Sequence, residues 1–356
     1  MALAADSRAG NAGQTVTMDR AVRLWLLAVA FLILIMVGVG GATRLTGSGL
    51  SITEWQPILG AIPPLNDTHW QEAFAKYQQI PQYHQINKGM SLEAFKAIYW
   101  WEWSHRLLGR LIGIVFAIPL VWFWWRGALG RDLKWKLAGL LALGAAQGAM
   151  GWYMVMSGLV DRVSVSHYRL AAHMGLAILI FGVVLWIALG VGHQRPGSSA
   201  AAAVPHSQQR FGGVLAAAVF VQILLGALVA GLKAGLTYNT WPLMDGSLVP
   251  DGLLTMSPWY INFFDNVTTV QFDHRMMAYA VAATAVLHWS MLRRMPAAAH
   301  VANSALILVL AILAQAALGV WTLLEVVPVS LGVAHQMGAV IVFGTAIWHT
   351  HRLAQR

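Results

Sequence analysis

Long apolar runs alternate with polar segments along the chain. A bilayer core about 30 Å thick takes roughly 20 mostly apolar residues per helix. Eight stretches reach that length: 22–43, 99–125, 135–157, 167–191, 211–232, 272–292, 302–324 and 331–350. The pattern predicts an all-α integral membrane protein with eight transmembrane helices. The second, fourth, sixth and eighth stretches carry polar residues near their starts. Residues 1–21 mix Asp6 and Asp19 with Arg8 and Arg20 and lack an apolar core. They read as a polar N-terminal tail, neither a cleaved signal nor a transit peptide.

The chain repeats itself. Ala146-Gln147-Gly148-Ala149-Met150-Gly151 matches Ala314-Gln315-Ala316-Ala317-Leu318-Gly319. His105-Arg106 is echoed by His274-Arg275, and Ala172-His173-Met174-Gly175 by Ala334-His335-Gln336-Met337-Gly338. Both halves hold four spans and start on the same side, so the repeat is parallel rather than inverted. The expected architecture is two pseudo-symmetric four-helix bundles, at 22–195 and 211–356. A Ser-, Ala- and Pro-bearing linker at 196–210 joins them.

Composition narrows the class. Hydrophobic residues make up 58% of the 356 and charged residues only 10%, against roughly 25% charged in a soluble domain. A conventional soluble enzyme is excluded. Disorder is excluded too, because 17 Trp and 12 Phe accompany the apolar excess. With no cysteine, disulfides, iron–sulfur clusters, cysteine-ligated zinc and thiol chemistry drop out.

The net charge of +9 raises nucleic acid or an acidic membrane surface as partners, and its placement decides between them. Basic connectors carry Arg126, Arg131, Lys134 and Lys136, then Arg195 and Arg210, then Arg293 and Arg294. Both termini fall on that side, where the acids are Asp6, Asp19 and Asp132. On the other side, with long loops at 44–98 and 233–271 and a short one at 158–166, bases and acids nearly balance. By the positive-inside rule the excess is a topological signal: the termini are cytoplasmic, the partner is the lipid bilayer, and nucleic acid is not expected.

Of 13 histidines, His69 and His84 fall in the long outer loop. His193, His206, His300, His349 and His351 fall near the cytoplasmic side, where solvation is expected. His288 lies deeper without a repeat partner and reads as structural. His105, His173, His274 and His335 differ, each lying near the outer end of an even-numbered span at repeat-related positions. Ionisable groups at membrane depth are costly and point to function. Neutral imidazole coordinates haem iron, and a bundle holds a flat macrocycle between facing helices. Two bis-histidine haem sites, one per half, follow. Zinc would need a third protein ligand at the same depth, and helix–helix hydrogen bonding is the plainer alternative. Arg44, Arg106, Arg169, Lys233 and Arg275 lie near these histidines or span ends, where they can pair with carboxylates or snorkel to the interface.

The halves differ at one position. Glu102 stands three residues before His105, on the same helical face, whereas Gln271 stands before His274. A carboxyl in an apolar wall suits a general acid or base, so the Glu102 half is the reactive candidate; an ion pair with Arg106 or Arg110 is the structural reading. Asp273 stands where the first half has Ser104 and is expected to orient a ligand or pair with Arg275. Glu54, within Thr53-Glu54-Trp55-Gln56-Pro57, is expected to be a solvated loop acid. With Asn239-Thr240-Trp241-Pro242 in the second half, this Trp-Pro element is a candidate lid.

Taken together, Glu-Trp-Ser-His-Arg (102–106), His-Met-Gly (173–175), Phe-Asp-His-Arg (272–275) and His-Gln-Met-Gly (335–338) resemble the haem A synthase family, in its cysteine-free alphaproteobacterial and mitochondrial branch. The resemblance runs from residue 22 onward. It implies oxidation of the C8 methyl group of haem O to a formyl group by successive hydroxylations, giving haem A for cytochrome oxidase. It also implies substrate haem O on His105 and His173, with Arg106, Arg169 and Arg44 nearby. A haem b cofactor would sit on His274 and His335, with Arg275 and Lys233. Glu102 matches the family's essential glutamate, in proton transfer or in stabilising a cationic intermediate. A haem O synthase and an electron-transfer partner are implied, in a bacterial inner membrane with the haem sites toward the periplasm; a homo-oligomer stays open. A di-haem b electron-transfer subunit is the alternative, although such subunits stack haems across the membrane. A transporter would place its polar site nearer the midplane.

Overall fold

The computed structural model describes residues 2–192 and 204–355. Among these the architecture is helical, with no strand beyond a single bridge between Met244 and Ser247. In order the helices are α1 (Ala2–Leu45), α2 (Asp67–Tyr77), α3 (Pro81–Gln85), α4 (Leu92–Trp125), α5 (Arg131–Met156) and α6 (His167–Gly190). Then come α7 (His206–Gly231), α8 (Asn262–Asp265), α9 (Val267–Arg293), α10 (Ala299–Leu324) and α11 (Val329–Ala354).

A long helix covers each of the eight expected stretches. Six are long and apolar enough to cross a membrane: α1 from Met18 onward, α4, α6, α7, α10 and α11. Helices α5 and α9 are not among them. The reason is visible in their sequences: the charge-free run of α5 is diluted by Gly139, Gly144, Gln147, Gly148, Gly151, Trp152 and Tyr153, and α9 carries Asp273, Arg275 and Arg293. The expected tail 1–21 is helical from Ala2, continuous with the first span. Once a helix is nucleated, each further residue adds a hydrogen bond at little cost. Helix α7 begins at His206, so the last five residues of the expected linker are helical; 193–203 lie outside the described residues.

In the first half α1 packs on α4 and α6, and α5 packs on α4 and α6. In the second, α7 packs on α9 and α11, and α10 packs on α9 and α11. The two sets meet where α1 and α6 face α7 and α11. Membrane helices associate through close packing, for which small residues make room. A Cβ on Gly182 would lie 2.8 Å from Phe343, and one on Gly38 would lie 2.6 Å from the Met337 sulfur. Phe116, Phe123, Leu137, Phe181, Leu215, Leu308 and Phe343 belong to one apolar cluster shared by both halves.

The first outer loop is a folded cap. Asn66 caps α2 by accepting from the His69 amide, and Ser91 caps α4 through the Ala94 amide. Between them Trp70, Phe74, Tyr77, Phe95 and Tyr99 form a buried aromatic cluster. Its centre is Tyr77, whose hydroxyl donates to Gln82 Oε1 at 3.0 Å and accepts from Asn87 Nδ2 at 2.7 Å. The second outer loop is tied across to the first half, since Asp265 meets both His167 (2.8 Å) and the Tyr168 hydroxyl at the start of α6.

Candidate functional site

His105 on α4 and His173 on α6 stand on opposite members of the first set of four helices, and His274 on α9 and His335 on α11 on opposite members of the second. Within each pair the rings are near enough to interact electrostatically. Each ring packs against a glycine of the neighbouring helix. A Cβ on Gly40 would lie 2.9 Å from the His105 ring, on Gly151 3.0 Å from His173, on Gly226 3.1 Å from His274, and on Gly319 2.7 Å from His335. Ordinary side-chain contact begins near 3.4 Å. Glycine is therefore what lets the edge of each ring approach the next helix this closely.

Three of the rings share a second contact. Four residues before the glycine stands a glutamine whose amide nitrogen donates to the backbone carbonyl of the histidine and also meets its ring Nδ1. For Gln315 and His335 these distances are 2.7 and 3.0 Å. For Gln222 and His274 they are 3.0 and 3.1 Å. Gln147 lies 3.0 Å from the His173 carbonyl and 3.2 and 3.4 Å from its ring nitrogens. Sequence reasoning aligned Gln147 with Gln315 but gave neither a task, and passed over Gln222. The spacing Gln-x-x-x-Gly facing each histidine was the signal.

Glu102 is buried (2% exposed) and its oxygens are fully engaged. Oε1 accepts from Arg106 Nε (3.1 Å) and Nη2 (2.7 Å), and Oε2 accepts from the Ser51 hydroxyl and the Ile52 amide, both at 2.8 Å. Two of these four bonds come from the Arg106 guanidinium, so the carboxyl is both ion-paired and anchored to the loop. Arg106 also donates to the carbonyls of Ile52 and Glu54, so the pair clasps the outer loop above His105. In the second half Gln271 donates to the Tyr238 carbonyl at 3.0 Å, and Arg275 donates to the carbonyls of Tyr238, Thr240 and Leu243. Both halves thus build the same loop clasp, one with an anion and one with a neutral amide.

The remaining candidates divide. Arg275 turns to loop carbonyls rather than to the expected Asp273. Arg44 donates to the Ala230 carbonyl at 2.6 Å. Arg169 donates to the Tyr153 carbonyl and stacks on its ring. Lys233, two residues beyond the end of α7, adopts a left-handed conformation before the short turn Ala234–Leu236. Glu54 is an exposed loop acid, as expected, paired with Lys76 at 2.8 Å. His349 is not solvated: it is fully buried, bonded to His288 (3.0 Å) and to the Ser304 hydroxyl (2.8 Å). Packing of α9, α10 and α11 encloses it, which a position near a span end did not reveal.

Residues 23–347 match the COX15-CtaA family, described as cytochrome oxidase assembly protein. The chain is 54% identical over 340 residues to the "Heme A synthase" of Parvibaculum lavamentivorans, covering 94% of this chain and 95% of the relative. It is 52% identical over 355 residues to that of Brucella anthropi (98% and 97%) and 48% identical over 343 residues to that of Nitrosospira multiformis (96% each). The chain belongs to the haem A synthase family. This membership and six apolar helices make it a multi-pass membrane protein. A haem also suits the residues present. The paired imidazoles lie on glycine cradles, and beside them the amide oxygens of Gln147 and Gln222 are buried without a protein partner among the described residues.

Proposed function

We propose that the chain converts haem O to haem A, with the substrate held by His105 and His173 and a haem b cofactor held by His274 and His335. The observation that carries this division is the difference between the two loop clasps: the carboxyl of Glu102, paired with Arg106, stands three residues before His105, and the amide of Gln271 three residues before His274. The eight long helices are read as eight spans in two four-helix bundles, 22–195 and 211–356, with both termini in the cytoplasm. The histidine pairs then face the periplasmic side of a bacterial inner membrane. Eight spans suit the positive-inside pattern, because each long helix reverses the chain and alternate connectors carry the Lys and Arg residues.

Turning a methyl into a formyl group removes four electrons and adds one oxygen atom, so both an acceptor and an oxygen source act from outside the chain. Bound in the second half, haem b supplies one-electron chemistry. The first half contributes position and charge. His105 and His173 fix the plane of the substrate, and the cations Arg106, Arg169 and Arg44 with Arg275 and Lys233 give the outer ends of both sites a positive field that suits carboxylates. Glu102, with all four hydrogen bonds in place, is a fixed anion more than a free base. In a low-dielectric site such a charge stabilises positive charge developing on the substrate.

Glu102→Gln tests the reading. The variant should purify with its haem and convert haem O at a rate lower by about 10²–10³, the scale of losing one preorganised electrostatic group. Pigment extracted from membranes should then contain haem O in place of haem A. Normal haem A from this variant would show that Glu102 only clasps the loop. Haem b as the sole pigment of the wild type would favour a non-catalytic electron carrier.

A further inference from the structure

The four histidines are not held alike. Gln147, Gln222 and Gln315 each stand four residues before the glycine under a histidine, and each reaches that histidine. In the fourth case the glycine is Gly40 on α1, and the residue four before it is Met36. A thioether gives no N–H donor and only a weak acceptor. Among the described residues His105 has no hydrogen-bond partner for its ring. Its ring also lies differently on its glycine. The other three present Cε1 and then Nδ1 to the glycine, whereas His105 presents Nε2.

A partner that grips both the backbone carbonyl and the ring fixes the orientation of a ligating histidine. We infer that His105 is the displaceable ligand, so that the first site, with one clamped and one unclamped histidine, exchanges its haem while the second, clamped by Gln222 and Gln315, retains its own. The inference rests on the assignment of the histidine pairs to haem. It explains why two sites with equivalent ligands differ: a substrate must arrive and a product must leave, and a cofactor must stay.

A second observation points to the same half. On α5, residues 141–146 are all exposed. The equivalent segment of α10, 309–314, buries Val309 (5% exposed) and Ile312 (6%), where Leu141 is 37% exposed. A Cβ on Gly113 of α4, or on Gly144 or Gly148 of α5, would meet no other atom within 4 Å. The first set of helices therefore packs less closely around α5 than the second set does around α10, in the same half as the unclamped histidine.

Carbon monoxide measures clamping directly, because it binds a ferrous bis-histidine haem only after one histidine lets go. Protein purified from cells that co-express a haem O synthase is reduced and mixed with carbon monoxide, and binding is followed in the Soret band. Wild type should show a fast phase from the first site and a slow one from the second. Met36→Gln should slow the fast phase about fivefold, the worth of one ordinary hydrogen bond, and leave the slow phase alone; Met36→Leu should change neither. Gln222→Met should speed the slow phase about 10- to 100-fold, the usual effect of losing a partner behind a metal-binding histidine. Unchanged phases in both Met36→Gln and Gln222→Met would overturn the clamp. His274→Leu and His335→Leu guard the underlying assignment. If neither lowers the haem content, the histidines are not haem ligands; if they do lower it while the glutamine variants leave the rates unchanged, only the clamp is wrong.

Discussion

Gly319→Ala isolates what the glycine cradles do. The added methyl would lie 2.7 Å from the His335 ring carbon Cε1, about 0.7 Å inside the 3.4 Å at which ordinary contact begins. Backbone helix propensity works the other way, since Ala in place of a helical Gly gains about 0.5–1 kcal/mol. Overpacking costs about 1–3 kcal/mol, so the net loss of stability should be no more than about 2.5 kcal/mol and the helices should remain. The ring, however, must move by most of an ångström, and its Nε2 moves with it. Metal–ligand distances tolerate only about 0.2 Å, and Gln315, bonded to the His335 carbonyl at 2.7 Å, prevents the rest of the residue from following. The variant should therefore keep its far-ultraviolet circular dichroism and lose most of the haem of the second site. A pyridine haemochrome assay per mole of protein, read beside the dichroism, checks it. Full haem content in folded Gly319→Ala would refute the cradle argument.

Three further outcomes are expected. Tyr77→Phe removes a buried hydroxyl that serves Gln82 and Asn87, leaving Asn87 Nδ2 without that acceptor. It should destabilise the outer cap by about 1–3 kcal/mol, read as faster proteolysis between residues 60 and 90 with haem content unchanged. Burial also raises the Tyr77 pKa above its ordinary 10.0. Its contribution is thus complete below pH 10 and lost as the pH rises through the folded value, so the wild-type cap should loosen in that window and Tyr77→Phe should lack the transition. Ser304→Ala strands Nδ1 of the buried His349 and should cost about 1–3 kcal/mol, seen as a lower melting temperature with haem spectra unaltered; a spectral change would place that histidine cluster in communication with the haem sites.

Much of this was legible because membrane helices announce themselves through hydropathy and because the duplication gave each histidine a second witness. What the sequence hid was mostly distance across helices. Asp273 and Arg275 are two residues apart, yet Arg275 reaches the loop carbonyls of Tyr238 and Thr240, because residues two apart on a helix do not face each other. His349 sits near a span end but is closed in by Ser304 and His288 from two other helices. Arg44 looked like a carboxylate partner and instead spans the boundary between halves to the Ala230 carbonyl. Glu102 was legible as a buried carboxyl, but its two loop donors, Ser51 and Ile52, lie 50 residues away in sequence and became visible only in the folded cap.

Duplication also explains where divergence could occur. On the proposed reading, a four-helix scaffold that binds haem in each half needs its glycines and histidines in both copies, and Gly40, Gly151, Gly226 and Gly319 lie against the four rings. Changes there would abolish a site. Changes one layer out instead alter how the site behaves. Gln271 stands for Glu102, Met36 for Gln222 and Tyr279 for Arg110. Where Arg110 donates to the carbonyls of Gln56 and Pro57, the Tyr279 hydroxyl accepts from Trp241 Nε1. The first and third swaps keep the loop over its histidine pair while changing charge, and the second changes the grip on the histidine itself. If that layer separates substrate site from cofactor site, exchanging it should move properties between halves without moving a ligand. Gln271→Glu alone should bring an anion beside His274 and lower the midpoint potential of the second haem, because a nearby negative charge favours the ferric form. A redox titration reads this, and an unchanged potential would refute the idea that charge in this layer tunes the site.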